Sequence, residues 1–143
     1  MKRIWPMMVA MIVLVGCSDD PTMEPPADDV VLRIAIDGRV TADWTLTDLE
    51  ARVAFTEVTI DGDLQSGPLL LDVLAASGVD EWGTAEVIGM GEGRVFAVGL
   101  DINSSEVDEG WILDVTKQGT LKLAAPDLQR EQWVRDVGEI TIP

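Results

Sequence analysis

The chain has 143 residues, enough for one domain of ordinary size, and 47% of them are hydrophobic, so it can bury a core. It carries 26 Asp and Glu against 10 Lys and Arg, a net charge of −16. Such a surface repels nucleic acid and anionic lipid headgroups beyond a Debye length, which disfavours a nucleic-acid partner. Without His and with one Cys, it has no Ser-His-Asp centre, no Cys-His centre and no internal disulfide. A solvated acidic surface on an exported protein explains the charge; a surface for cations or a basic partner is the alternative.

Residues 1–16 have the pattern of a secretory signal peptide. Lys2 and Arg3 precede an apolar run at 7–15 that is too short to span a bilayer. The run ends in Gly16-Cys17, which resembles a bacterial lipobox. The resemblance implies that Cys17 receives a diacylglycerol on its thiol and becomes the first residue of the mature chain. A plain signal peptide with an incidental Cys is the alternative.

Residues 17–29 are rich in proline and carboxylates and nearly free of apolar side chains, so they predict an extended tether. The tether holds a domain at 30–143 away from the membrane that carries the lipid on Cys17. These features predict an exported lipoprotein of the cell envelope, on a periplasmic or outer-surface face of a bacterial membrane. Ser18 directly after Cys17 suits outer-membrane sorting in enteric-like bacteria, and the choice between inner and outer membrane stays open.

The domain begins with a pattern typical of a β-hairpin. Alternating apolar residues predict a strand at 30–36, Asp37-Gly38 predicts a turn, and 39–44 is expected to return as a second strand. The segment Thr47-Asp48-Leu49-Glu50 then has capping-box spacing, with a hydroxyl followed by a carboxylate three residues on. It predicts a short helix at 47–53.

The next residues predict a strand at 54–60 and a turn at Asp61-Gly62-Asp63. The candidate core residues of this strand are Phe55, Val58 and Ile60. The most apolar run outside the leader, 67–79, follows. The apolar run predicts the central helix of the domain, from Pro68 in its first turn to a left-handed Gly78 just beyond its end. Its buried face is expected to carry Leu70, Val73, Leu74 and Ser77.

The second half of the chain is rich in predicted strands. They lie at 85–88, 94–100, 111–115, 120–126 and 133–142. An acidic loop at 103–110 and a turn at 117–119 separate them, and Asp127 is expected to cap a short helical turn that runs through Gln132. The fold class is therefore α+β, with mixed, predominant strands and two or three short helices.

Three patterns suggest binding sites, and each has a simpler structural explanation. Gly89-Met90-Gly91-Glu92-Gly93 lacks the GxGxxG spacing and precedes a predicted strand, so it indicates a hairpin or bulge rather than a nucleotide loop. The oxygen-rich segment 101–110 lacks the glycine and glutamate positions of a calcium-binding EF-hand, so an acidic surface loop explains it better. A ligand-stacking wall and ordinary core positions are the two interpretations of Trp44, Trp82, Trp111 and Trp133.

Four motifs then follow one another in an order and spacing similar to those of a known family. They are Trp44-Thr45-Leu46-Thr47-Asp48-Leu49, the run at 67–79, Gly119-Thr120-Leu121-Lys122-Leu123-Ala124-Ala125-Pro126, and Trp133-Val134-Arg135-Asp136-Val137-Gly138-Glu139-Ile140. Over about 31–142 the chain resembles the molybdopterin-binding domain of the sulfite oxidase type, shared with periplasmic methionine-sulfoxide-reductase catalytic subunits. The resemblance implies that fold, and a molybdopterin-dependent oxidoreductase activity.

The sequence departs from this family at the metal. The family's molybdenum-ligating Cys lies just before the central helix, where this chain has no Cys at 60–67, and the family's His and basic pterin-binding residues have no visible counterpart. We therefore expect the fold without the redox chemistry: a binding or accessory module for a small ligand or partner protein, with no catalytic residue, metal ligand or cofactor. The alternatives are a molybdopterin enzyme that lacks a protein thiolate and a generic β-rich surface lipoprotein.

Overall fold

The computed structural model describes residues 27–90 and 98–143. Their elements are β1 (Val30–Ile36), β2 (Arg39–Thr45), α1 (Leu46–Arg52), β3 (Phe55–Ile60), β4 (Asp63–Pro68), α2 (Leu70–Ala76), β5 (Thr84–Gly89), β6 (Gly99–Asn103), β7 (Ile112–Val115), β8 (Leu121–Ala124), a 3₁₀ turn (Arg130–Gln132) and β9 (Val134–Ile142). The predicted α+β class with predominant strands is confirmed. The leader at 1–16, Cys17, most of the tether and the glycines at 91 and 93 lie outside the described residues, as does most of the strand predicted at 94–100.

The long strand β9 is the centre of a mixed sheet in the order β2-β1-β9-β5-β6, from which β8 and β7 branch. β5 lies antiparallel along one edge of β9. The other edge is shared: β1 pairs in parallel with the C-terminal half of β9, and β8 pairs antiparallel with its N-terminal half. An extra residue on β9 and a φ of +51° at Asp136 mark a bulge where the two halves meet.

Two Asp-Gly turns form the tight hairpins of the fold. Asp37 and Gly38 connect β1 to β2 with φ values of +52° and +79°, and Asp61 and Gly62 connect β3 to β4 with +53° and +85°. Two consecutive positive φ angles are typical of the type I′ turn, which matches the twist of antiparallel strands. Both predicted turns are confirmed.

The sequence patterns do not predict β4. They predict a helix that has Pro68 in its first turn. Pro68 instead ends β4, paired with Phe55, and Leu69 is the N-cap of α2. A proline is tolerated at a strand end, as it is in a first helical turn, so the residue type did not distinguish the two positions. The first N–H of α2, from Leu70, donates to the Trp111 carbonyl at 2.9 Å.

The central role of α2 is confirmed by burial. Its predicted inner face, Leu70, Val73, Leu74 and Ser77, lies in the core. The helix ends as expected at Gly78, with φ at +86°, where the N–H groups of Gly78 and Val79 donate to the Ala75 and Leu74 carbonyls. This pair of bonds is the Schellman motif.

Local details of the remaining elements differ from the prediction. The N-cap of α1 is Thr45 rather than Thr47, since the Asp48 N–H donates to Thr45 Oγ1 at 3.0 Å. Either hydroxyl has a carboxylate three residues later, so spacing alone permitted both caps. The 3₁₀ turn is capped by Gln129 and not by Asp127.

Two features at the edges of the fold also differ from the prediction. Phe55, expected in the core, is exposed because β3 is the outer strand of its hairpin and Phe55 lies on the face away from the core. β6 continues to Asn103, the first residue of the predicted acidic loop. Among the described residues, no helix is long and apolar enough to cross a bilayer.

Candidate functional site

The segment before α2, where the family resemblance places a metal ligand, packs directly against β7. A side chain at Gly67 would collide with the Leu113 carbonyl oxygen, so only glycine allows this approach of β4 to β7. The neighbouring Ser66 N–H donates to Asp114 Oδ1 at 2.7 Å. The backbone and a side chain of β7 therefore fill the space beside residues 66 and 67.

Asp114 connects this segment to β8. Its second oxygen, Oδ2, lies 3.6 Å from Lys122 Nζ, and Lys122 Nζ lies 5.4 Å from the centre of the Trp133 ring. The guanidinium of Arg130 also stacks on Trp133, at 4.6 Å. Two cations are thus held against one buried aromatic ring, where its electron-rich face attracts positive charge.

A surface pocket of about 400 Å³ opens beside Asp114, and it is the candidate functional site. Its lining residues are Asp114, Val115, Thr116, Lys117, Gln118, Lys122 and Arg135. Three cations therefore oppose one carboxylate, and we call this site the cationic pocket. Of the seven Lys and Arg residues in the described ranges, three line it, in a chain with a net charge of −16.

The rim of the cationic pocket is a hydrogen-bonded turn between β7 and β8. The hydroxyls of Thr116 and Thr120 are 2.8 Å apart, and the Gly119 N–H donates to the Thr116 carbonyl at 3.0 Å. Gly119 has a φ of +82°, a conformation that favours glycine. The predicted turn at 117–119 is confirmed, and it presents the exposed Lys117 beside the pocket.

The oxygen-rich segment 101–110 uses its carboxylates to stabilise its own loop. Glu106 Oε1 accepts from the Asn103 N–H at 3.2 Å and from its side-chain amide at 3.1 Å, and Asp108 Oδ1 accepts from the Gly110 N–H at 2.8 Å. Within 27–90 and 98–143, no group of three or more acidic or Cys side chains is placed to hold a metal ion. The geometry agrees with a surface loop rather than a calcium site.

Three of the four tryptophans in the described residues occupy core positions. Trp44, Trp111 and Trp133 are at most 2% exposed, whereas Trp82 is half-buried at the edge of the core. Trp44 Nε1 donates to Ser77 Oγ at 2.9 Å, which joins β2 to the end of α2. The core interpretation is confirmed for these three, and Trp133 additionally forms the apolar support beneath Lys122 and Arg130.

The residues present do not fit a molybdenum-pterin group. The chain has no His, and its one Cys, Cys17, precedes the domain. Gly67 leaves no room for a ligating side chain, because the Leu113 carbonyl occupies that position. A molybdenum ion would therefore find neither a thiolate nor an imidazole in this domain, although the cationic pocket suits an anion.

The carboxyl of Asp43 lies away from this pocket, in the β1–β2 hairpin. Its pKa is lowered because Arg33 donates two hydrogen bonds to it, from Nε at 2.7 Å and from Nη2 at 2.9 Å. Burial partly opposes this shift of the pKa, and the charge of Arg33 adds to it. The pair stabilises the sheet, where Arg33 is only 7% exposed.

A scan against protein-family models found no matching family, and a search of curated proteins found no significant match. Function is therefore inferred from the residues of the chain itself.

Proposed function

We propose that the chain is an exported, lipid-anchored binding module of the bacterial cell envelope, which binds a small anionic ligand in the cationic pocket and has no redox activity. The observation that carries this proposal is the convergence of Lys117, Lys122 and Arg135 in a chain of net charge −16. Charges within a few ångströms outweigh a distant surface field, which is screened beyond about 10 Å at 0.1 M salt. The pocket therefore attracts anions locally.

The chemistry of the lining favours binding over catalysis. Asp114 is the one carboxylate in the pocket, and it already accepts from the Ser66 N–H and pairs with Lys122. The Thr116 hydroxyl is hydrogen-bonded to Thr120. These interactions supply no poised base or nucleophile, whereas Lys ammonium and Arg guanidinium groups are the usual partners of carboxylates and phosphates.

The pocket volume supports a small ligand. About 400 Å³ lies within the range of small-molecule sites, roughly 300–1,000 Å³. The resemblance to the sulfite oxidase-type molybdopterin-binding domain supports a fold that accommodates an anionic molecule, and the missing metal ligand supports the loss of redox chemistry. The leader and Cys17 support export and lipid anchoring.

Thermal unfolding of the full-length protein in detergent tests the proposal, with inorganic phosphate and citrate as probes and sodium chloride at equal ionic strength as the reference. With a Kd near 1 mM, 10 mM phosphate would add about 1.4 kcal/mol to the free energy of unfolding and raise Tm by several degrees. The double variant Lys117→Gln, Arg135→Gln should lose this shift. The matched variant Arg39→Gln, in the β1–β2 hairpin, should retain it.

Two results would contradict the proposal. An unchanged Tm with both probes would exclude this class of ligand, and an equal shift in the double variant would place the anion elsewhere. Stoichiometric molybdenum and pterin in the purified protein would favour the oxidoreductase alternative. Cys17→Ser should move the protein from the membrane fraction to the soluble fraction, which tests the anchor separately.

A further inference from the structure

The cationic pocket and the end of the tether lie at the same end of the sheet. β1, which follows the tether, and β8, which follows the pocket's turn, share one edge of β9. The parallel pairing of β1 reaches Glu139 of β9, and β8 pairs with the same edge from Val137, so the starts of β1 and β8 approach each other there. The topology thus brings the entry of the chain close to a cation of the pocket.

The proximity of Gly119 to Leu46 supports this placement. A Cβ on Gly119, in the turn that forms the pocket rim, would lie 3.7 Å from Leu46 Cδ1. Leu46 and Asp29 line the same small surface depression at the start of β1. The turn at 116–120 and the last residue of the tether, Asp29, therefore both lie near Leu46.

Two carboxylates lie together at the opposite end of the sheet. Glu86 and Asp101 are directly paired across β5 and β6, both are exposed, and they line a second depression together with Gly38 and Pro143. This depression lies about 20 Å from the tether, the length of the seven-residue β1 at ~3.3 Å per residue. It therefore carries two carboxylates, whereas the cationic pocket carries three cations and one carboxylate.

We propose that the cationic pocket faces the anchoring membrane and binds the phosphate of an anionic lipid headgroup. This inference rests on the proposed lipid anchor: the ten residue steps from Cys17 to Ala27 span at most about 35 Å, so the domain stays close to the bilayer. Lys and Arg near an anionic leaflet are attracted to it, whereas Glu86 and Asp101 in the second depression are repelled. The position of the tether and the charges of the two depressions then favour the same orientation of the domain on the membrane.

The lysines of the chain provide a selective probe of this orientation. There are three, Lys2 in the leader and Lys117 and Lys122 in the pocket, so a mature chain would carry both of its lysines at the proposed membrane face. The full-length lipidated protein is reconstituted on vesicles of phosphatidylcholine, or of phosphatidylcholine and phosphatidylglycerol at 3:1. A neutral amine-acylating reagent is added, and acylation of each lysine is followed by mass spectrometry.

We expect acylation of Lys117 to slow about fivefold on the phosphatidylglycerol vesicles, and the protection to disappear at 0.5 M NaCl because headgroup attraction is screened. Arg135→Glu should weaken the protection, whereas Arg39→Glu, the same charge change at the other end of β1, should not. An Arg39→Lys variant supplies an internal reference amine, whose acylation should be equal on both vesicles.

The failures of the two proposals are distinguishable. Equal acylation of Lys117 on both vesicles would overturn the membrane orientation, whatever the thermal shift with phosphate. Full protection by 10 mM inorganic phosphate without vesicles, with none added by phosphatidylglycerol, would also overturn it and leave a site for a free small anion. Release of the protein from vesicles in a flotation gradient would instead refute the lipid anchor.

Discussion

Asp43 and Arg33 form an ion pair with two hydrogen bonds between β1 and β2. The guanidinium donates to both carboxylate oxygens, and Arg33 is almost completely buried. Arg33 lies on an interior strand, between β2 and β9. A cation buried in this way depends on its partner, because desolvation opposes an unpaired charge.

We predict that Asp43→Asn lowers the free energy of unfolding at pH 7 by about 1–3 kcal/mol. The folded-state pKa of Asp43 is below its ordinary value of 3.8, so the ion pair contributes fully above that pH. The contribution is lost as the pH falls through the lowered pKa. The difference between wild type and variant should therefore shrink below pH 4.

Urea unfolding at pH 7 and at pH 2.5 measures this difference. Asp80→Asn, at an exposed carboxylate, is the matched control and should change the free energy of unfolding by less than about 0.5 kcal/mol. If Asp43→Asn changes the free energy of unfolding equally at pH 7 and at pH 2.5, the ion pair is not the source of that change.

At the scale of elements, the decisive contact is between β4 and β7. The bond from the Ser66 N–H to Asp114 and the bridge between Leu69 and Ile112 hold the second hairpin to the rest of the fold. The residues Gln65-Ser66-Gly67-Pro68 carry little strand propensity. Their extended conformation is stabilised by β3 on one side and β7 on the other, which local sequence patterns do not reveal.

We predict that Gly67→Ala destabilises the fold by about 1–3 kcal/mol, because the added methyl group displaces β4 from the Leu113 carbonyl. Gly83→Ala is the control, since a Cβ there has no heavy atom within 4 Å, and its effect should stay within about 1 kcal/mol. Chemical denaturation compares the two. Equal unfolding midpoints for the two variants would contradict this prediction, because displacing β4 from β7 would then cost no stability.

At the scale of the whole molecule, the main electrostatic feature is the excess of acidic residues. A net charge of −16 on 143 residues produces self-repulsion in the compact state. The cationic pocket is the local exception, and Asp114 connects it to the site beside α2 where the family resemblance places a metal. Three of the seven cations in the described residues thus lie beside the segment where the family resemblance places a metal ligand.

We predict that raising NaCl from 0.02 to 0.5 M increases the free energy of unfolding by on the order of 1 kcal/mol, because the repulsion is screened. A double variant, Glu57→Gln and Asp80→Asn, removes two exposed carboxylates. It should start more stable at low salt and gain less on salt addition. Denaturation curves across the salt series measure both slopes, and a fall in stability with salt would contradict this account.

The sequence by itself determined the α+β class, both Asp-Gly turns, the inner face of α2 and its end at Gly78. Each depends on side-chain periodicity or on one residue's backbone preference, and both are local properties. The lipid anchor at Cys17 and the family resemblance stay predictions of the sequence.

Only the tertiary structure decided where β4 packs and which cations converge. Lys117, Lys122 and Arg135 come from a turn and two strands, and the positions of β8 and β9 are set by long-range pairing. Phe55 is exposed for the same reason, since its side depends on what covers the hairpin. Periodicity shows that a strand has two faces, but only packing decides which face is buried and which charges meet beside it.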